Sequence, residues 1–301
     1  MLKVSVVMNY FERQDILERT LWSICHFTNT IDPFEVVIVD DMSAPGKEAA
    51  PVVADFTGRL PVRLFERTNK KGKNCGIPLN IAARKATGEV LIIQDPDFVH
   101  MSPVVNQTAA YFADDVSKFV IAGCYSLSKK KQRIVVGVDF SDREAVARLR
   151  QRVERLPAGI QIEGADAWNC HPIFRPLGLG SAKAILRRDF NRLGGFDEDF
   201  HEYHGYEDTD FLRRVQLAGI PAAICPEILV YHQWHYEVTP EDSASRAGCE
   251  TVHLRLFQQK AAAGLTVANA GREWGVLSGR EVDLAATAVG DDGRAGMGAA
   301  S

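Results

Sequence analysis

Carboxylates gather at three places along this 301-residue chain. Asp95 and Asp97 straddle Pro96, directly after the apolar run Val90-Leu91-Ile92-Ile93-Gln94. The proline fixes its own φ and biases Asp95 toward an extended conformation, so the pair rides a stiff turn. Two like charges held this close need a positive partner, and a divalent cation shared with a substrate phosphate supplies one. Asp40 and Asp41 end a second apolar run, Phe34-Glu35-Val36-Val37-Ile38-Val39, and could accept hydrogen bonds from a ribose or a nucleobase. The third cluster is Gly205-Tyr206-Glu207-Asp208-Thr209-Asp210, a few residues after Gly194-Gly195-Phe196-Asp197-Glu198. Asp208 falls at an expected helix start, where the dipole favours an anion. Capping accounts for one such acid, but not for three within four positions. Downstream, His232 stands in Tyr231-His232-Gln233-Trp234-His235, and neutral imidazole beside carboxylates is a common way to complete a transition-metal site. Each cluster also has a plainer use: acids cap helices and form turns after strands, and a histidine at a strand end can be purely structural.

The elements that must carry these groups alternate. Residues 4–8 read as a strand buried on both faces, and residues 15–27 as a helix with Leu17, Leu21 and Ile24 at helical spacing. Strands are expected at 34–39, 61–65 and 90–93, with a helix at 78–86 that has proline in its first turn and Gly88 beyond its end. Such alternation predicts a mostly parallel sheet flanked by helices, with ligands at the carboxyl ends of the strands. Two of the acidic clusters fall at those ends. Later helices are expected at 142–156, 210–217 and 241–263, the first an amphipathic surface helix whose arginines read mainly as a solvated face. Residues 168–180 read as a shaped loop in which Trp168, Asn169 and His171 either line an acceptor site or simply pack. From about residue 285 the chain has little to bury, and disorder is expected.

Composition narrows the class. Apolar residues make up 46% and charged residues 25%, the mixture of a globular enzyme, which excludes collagen-like and disordered chains. Thirty-five Lys and Arg against 39 Asp and Glu give a net charge of -4, so no global pull toward nucleic acid is expected. No apolar run approaches the roughly 20 residues that span a bilayer, and the first residues lack the layout of a signal peptide. Six cysteines without a C-x-x-C pair read as reduced thiols of a cytoplasmic protein. Peripheral association with the inner face of the membrane stays open, as does the oligomeric state.

In order and spacing the motifs resemble those of the family 2 glycosyltransferases across residues 3–236. They are V-S-V-V-M followed by Phe11, V-D-D at 39–41, A-T-G-E-V-L-I-I-Q-D-P-D at 86–97, G-G-F-D-E at 194–198, G-Y-E-D-T-D at 205–210 and Y-H-Q-W-H at 231–235. The resemblance implies a GT-A fold of class α/β: a Rossmann-like nucleotide-binding half (residues 1–115), an acceptor-binding half (116–240), a C-terminal helix (241–263) and a tail (264–301). It implies inverting transfer of a sugar from a nucleotide-diphosphate donor, a UDP-sugar first, to a glycan or other hydroxyl acceptor, as in polysaccharide or glycoconjugate assembly. Asn9, Phe11, Glu12 and Asp41 match the base- and ribose-binding positions, with Asp95 and Asn80 also placed with the donor. Asp97 and His232 match ligands of a bound Mn²⁺ or Mg²⁺, Asp208 matches the catalytic base, and Glu207 lies beside it to orient the acceptor hydroxyl. One departure is Leu79-Asn80 where many relatives carry Arg-Asn, and Lys70, Lys71, Lys73 or Arg84 are candidates for the missing charge. The long hydrophobic segments and the Q-x-x-R-W element of processive synthases are absent, which points to a non-processive enzyme.

Two other classes compete. A strand followed by D-P-D superficially matches a HAD-type phosphatase, with Asp95 as nucleophile, but leaves the Glu207-Asp208 and His232 set unexplained. The other is a nucleotide-sugar or glycan-binding protein without turnover, against which the retention of Asp97, Asp208 and His232 speaks.

Overall fold

The computed structural model describes residues 2–29, 33–70, 72–154, 168–173, 180–235 and 240–289. Its first half is the expected alternation with one further helix, α2: β1 (Val4–Tyr10), α1 (Gln14–Phe27), β2 (Phe34–Asp40), α2 (Ala50–Ala54), β3 (Val62–Arg67), α3 (Gly76–Lys85) and β4 (Val90–Gln94). β1 pairs in parallel with β2 and β4, and β2 with β3. β1, β2 and β4 are apolar along almost their whole length because helices cover the sheet. Leu17, Leu21 and Ile24 are fully buried, as their spacing predicts.

The second half continues the same sheet in mixed sense. It adds β5 (Phe98–His100), α4 (Val104–Tyr111), β6 (Phe119–Ser126), α5 (Lys129–Val136), α6 (Arg143–Glu154), β7 (Trp168–Cys170), β8 (Lys183–Leu186), α7 (Arg187–Arg192), α8 (Glu207–Leu217) and β9 (Ala222–His232). With β10 (Gly279–Glu281) at one edge, the strand order is β10-β3-β2-β1-β4-β8-β6-β9-β5, with β7 on β6. β8 runs antiparallel to both β4 and β6, and β6 runs parallel to β9. The carboxyl ends of β1, β2, β4 and β9 and the first residue of β8 therefore meet at one rim. β9 reaches that rim through an irregularity, where the register jumps from Cys225 to Leu229. Pro226 sits there, since proline cannot serve a regular ladder, and Gly123 opposite leaves room for its backbone.

α9 (Pro240–Gly248) passes through a π turn (Cys249–His253) into α10 (Leu254–Ala262). The chain then departs from the sequence expectation. β10 (Gly279–Glu281) adds an antiparallel edge to β3, and α11 (Leu284–Val289) packs against α2 where disorder was expected from about residue 285. The cause is tertiary: Leu284 finds the core, which a run of small side chains does not reveal. Residues 290–301 of that tail, the end of the helix expected to residue 156, the loop residues 174–179 and Lys71 lie outside the described residues. The described cysteines form no disulfide.

Candidate active site

Asp97 leaves the turn after β4 and lies 2% exposed. β5 follows at once and pairs with β9 so that Phe98 stands opposite His232, which places the histidine beside the carboxylate. His232 Nε2 lies 3.7 Å from Asp97 Oδ1, and His235 Nε2 lies 2.8 Å from Oδ2. Gln233, fully buried between the two histidines, fixes this segment. Its backbone N–H donates to Asp97 O at 2.9 Å and its side-chain amide to Ile16 O at 3.1 Å, while Arg19 Nε donates to its Oε1 at 2.7 Å. Trp234 N donates to Gln132 Oε1 at 3.0 Å, which ties the same segment to α5.

One ligand atom from each of Asp97, His232 and His235 lies within 4.8 Å of the others. Asp97 Oδ1 is buried with no hydrogen-bond partner among the described residues. Leaving a buried carboxylate oxygen unpaired costs about 1–3 kcal/mol, which a cation at that position would relieve. Burial would raise the Asp97 carboxyl, but the two imidazoles and the Arg13 guanidinium overcome it and hold the group ionised. Burial pushes the His232 imidazole down, against the pull of Asp97, and so favours the neutral form that binds metal. A carboxylate with two imidazoles is a donor set that fits a divalent cation of the Mn²⁺ or Zn²⁺ kind better than one that demands oxygen alone.

The remaining carboxylates form a chain away from that centre. Asp95 is half-buried, and burial and its neighbours Asp97 and Asp208 raise its carboxyl to about 7. Lys183, first residue of β8 and paired with Ile93, donates to Asp208 Oδ2 at 2.7 Å. Burial would lower the Lys183 ammonium, but Asp208 and Asp95 outweigh it and raise it. Asp208 opens α8 after Gly205 and Tyr206, whose φ values of 99° and 71° bend the chain sharply into the helix. The three acids of this turn have three jobs. Asp208 faces Lys183 with 30% of its side chain exposed, while Asp210 is buried against Arg214 Nε at 2.6 Å. Glu207 is 5% exposed and accepts from Asn74 Nδ2 at 2.7 Å. Burial and the adjacent Asp208 raise its carboxyl to about 7.

On the other side of the rim, Asp41 is ion-paired with Arg67 and lies 3.3 Å from Lys70 Nζ. Lys70 also lies over the exposed Phe11 ring, 3.3 Å from its centroid. Among the described residues Asn9 Oδ1 is buried without a hydrogen-bond partner, like Asp97 Oδ1. Asp40 instead caps the following turn, accepting from Ser43 N at 2.9 Å and Ala49 N at 2.8 Å. Glu12 braces the same turn through Lys47 at 2.9 Å and Ala44 N at 3.2 Å.

Asn9, Phe11, Asp41, Asp95, Asp97, His232 and Asp208 are thus gathered at one rim. Two expected site residues are engaged elsewhere. Asn80 is fully buried, its amide donating to Phe196 O at 2.8 Å and Glu198 Oε1 at 3.0 Å and accepting from Phe196 N at 2.8 Å. It latches α3 to the G-G-F-D-E turn. Glu207 likewise points inward to Asn74 and Cys75 rather than to an open acceptor face. Among the candidate cations, Lys70 is at the rim, whereas Arg84 stacks on Trp274 at 5.3 Å. Sequence reading missed His235, Arg13 and Lys183. His235 carried a signal, its place in the same Y-H-Q-W-H segment; Arg13 and Lys183 carried none, because only strand order brings them to the carboxylates.

The chain is similar to known proteins in sequence and in fold. The model of glycosyl transferase family 2 matches residues 5–176, and one described as the N-terminal domain of galactosyltransferase matches residues 172–235. Validoxylamine A glucosyltransferase of Streptomyces hygroscopicus subsp. jinggangensis (strain 5008) is 28% identical over 235 residues, covering 74% of this chain and 54% of that one. The chain thus spans about half the length of the curated relatives it matches. Mannosyltransferase PcManGT from Pyrobaculum calidifontis, solved in complex with GDP-Man and Mn²⁺, superposes with a TM-score of 0.56 at 25% identity, covering 86% of this chain and 64% of that one. Staphylococcus aureus TarS shares the fold, with a TM-score of 0.57 at 18% identity over 90% of this chain and 41% of that one. The phosphatase reading of the D-P-D turn gives way to these matches. With its GT-A sheet and the family model covering more than half its length, the chain belongs to glycosyl transferase family 2.

Proposed function

We propose that the chain is a divalent-metal-dependent, inverting glycosyltransferase that moves a sugar from a nucleotide-diphosphate donor, a UDP-sugar first, to a hydroxyl acceptor. One observation carries the reading: Asp97, His232 and His235 converge around a buried, unpartnered carboxylate oxygen, and Lys183 holds Asp208 on a separate helix beyond Asp95. Asn9, Phe11 and Asp41 would take the base and ribose, the exposed Phe11 ring by stacking. Asp97, His232 and His235 would hold Mn²⁺ or Mg²⁺, with two imidazoles favouring Mn²⁺. When bound, the cation would supply Lewis acidity to the departing diphosphate. Asp208 would receive the acceptor hydroxyl proton as that oxygen attacks the anomeric carbon. The bond from that carbon to the diphosphate oxygen breaks on the opposite face, which inverts the centre. Lys183 would keep the Asp208 carboxylate aimed. The GDP-Man and Mn²⁺ of PcManGT support the donor class and the metal.

The test is transfer and donor hydrolysis with a panel of UDP- and GDP-sugars, with and without Mn²⁺. Metal-dependent release of nucleoside diphosphate is expected. Asp208→Asn should lower turnover by about 10²–10⁴-fold, the usual contribution of a positioned base, while Mn²⁺-dependent donor binding persists. Near-normal turnover in that variant would remove Asp208 from the role of base. Tight donor binding with no turnover by the unaltered protein would favour a binding protein instead.

A further inference from the structure

Beside the metal-ligating segment, α5 and α6 form a hairpin whose charge runs against that of the chain. Residues 129–154 carry eight Lys and Arg against four Asp and Glu, while the whole chain is at -4. Lys129, Lys130, Arg133, Arg143, Arg148 and Arg152 are exposed. Arg148 pairs with the exposed Glu144 at 3.2 Å, and Lys129 lies over Trp234 at 5.0 Å. Among the described residues, Lys130, Arg133, Arg143 and Arg152 have no carboxylate partner within salt-bridge distance. The inner stripe of α6, Val146, Leu149 and Val153, is buried with Val135 and Phe140, so the basic face is held outward by the core.

This face is not only basic. Val136 is 58% exposed, and a groove of about 600 Å³ is lined by Ile134, Val138, Ala145, Asp139, Arg148 and Arg152. The one carboxylate in that groove, Asp139, is engaged by Ser141 N at 2.8 Å and Ser141 Oγ at 2.6 Å. Guanidinium groups around an apolar trough and an exposed valine match a surface that offers phosphates above hydrocarbon.

We propose that the α5–α6 hairpin is a docking surface for an anionic phospholipid bilayer. A soluble phosphate polymer would engage the cations but would leave Val136 and the apolar trough without a use, so the bilayer is the occupant the side chains favour. The proposal does not depend on the transfer chemistry. The hydrogen bond from Trp234 N to Gln132 Oε1 couples α5 to the segment bearing His232 and His235, so docking would bring that rim near the membrane plane. Acceptors carried on the membrane would then be within reach.

The full chain is sedimented with vesicles of mixed phosphatidylglycerol and phosphatidylcholine, with phosphatidylcholine alone, and with inorganic polyphosphate as the competing probe. Binding to the anionic vesicles alone is expected, weakening as salt rises. Each cation near such a surface contributes roughly fivefold to partitioning, so the double substitution Arg148→Gln with Arg152→Gln should lower it by at least about tenfold. Val136→Ser should weaken vesicle binding and leave any polyphosphate binding unchanged. Circular dichroism and melting of each variant show that it is folded. No binding to anionic vesicles, binding that both variants leave intact, or capture of polyphosphate without vesicles would each overturn the proposal.

Discussion

His235 and Lys183 extend the candidate machinery at the scale of single residues. Replacing His235 or His232 with Ala should each raise the Mn²⁺ concentration needed for half-maximal turnover by tenfold or more, read from a metal titration of initial rate; an unchanged titration would strike that residue from the ligand set. Lys183→Gln removes the cation between Asp95 and Asp208 and should destabilise the fold by about 1–3 kcal/mol at pH 8, measured by urea unfolding. Glu207 makes a pH-dependent prediction. Its carboxyl is raised from 4.5 to about 7 by burial and by Asp208, so the folded state holds a proton that the unfolded chain has released between those values. Stability therefore falls as pH rises through that window, by an amount on the order of 3 kcal/mol. Glu207→Gln keeps an acceptor for Asn74 and cannot ionise. It should raise the melting temperature at pH 8 and leave it nearly unchanged at pH 5, and equal gains at both would contradict the buried-charge account.

At the scale of elements, the site depends on how short segments are fastened. The 232–235 segment is set by the β5–β9 ladder and by Gln233, whose side chain spans from Arg19 to Ile16 O. Gln233→Ala leaves every proposed ligand in place but frees their backbone. It should raise the metal requirement of the enzyme and lower stability by about 1–3 kcal/mol; a metal titration matching the unaltered protein would show that the ladder alone suffices. α8 is fastened from behind. Arg214, fully buried, reaches Asp210, Leu193 O at 2.7 Å and Gly195 O at 2.8 Å, so the G-G-F-D-E turn and the helix bearing Asp208 move as one body. His253 adds a brace where the C-terminal helix makes its π turn, bonding Gly205 O at 2.9 Å. That contact gives the C-terminal helix a role in shaping the approach to Asp208.

At the scale of the molecule, one sheet joins both halves, and the rim between them gathers the charged groups. A cation that binds only the folded protein must stabilise it, so saturating Mn²⁺ should raise the melting temperature, and a nucleotide sugar should raise it further only when Mn²⁺ is present. Chelation should abolish turnover, with Mn²⁺ restoring it better than Mg²⁺ because two imidazoles sit in the donor set. Equal restoration by Mg²⁺ would argue that the histidines do not both bind.

The amino-acid sequence alone determined β1, α1, β2, β3, α3 and β4 and the acids that follow β2 and β4. Apolar runs, helical spacing and a proline between two aspartates are short-range signals that survive any packing. It also located Asp97, His232 and Asp208, each inside a compact motif. Tertiary structure alone decided which acid does which job. Asp40 turns back to cap a turn while Asp41 meets Arg67, and Glu207 and Asp210 turn inward while Asp208 meets Lys183. It also decided that Asn80 is a latch and that residues 279–289 complete the sheet and its cover. The reason is physical: neighbours in sequence share a backbone but not a side-chain direction. Whether a carboxylate finds a lysine, an arginine or a cation depends on strand order and register, which link residues more than two hundred positions apart, as with Arg13 and His235.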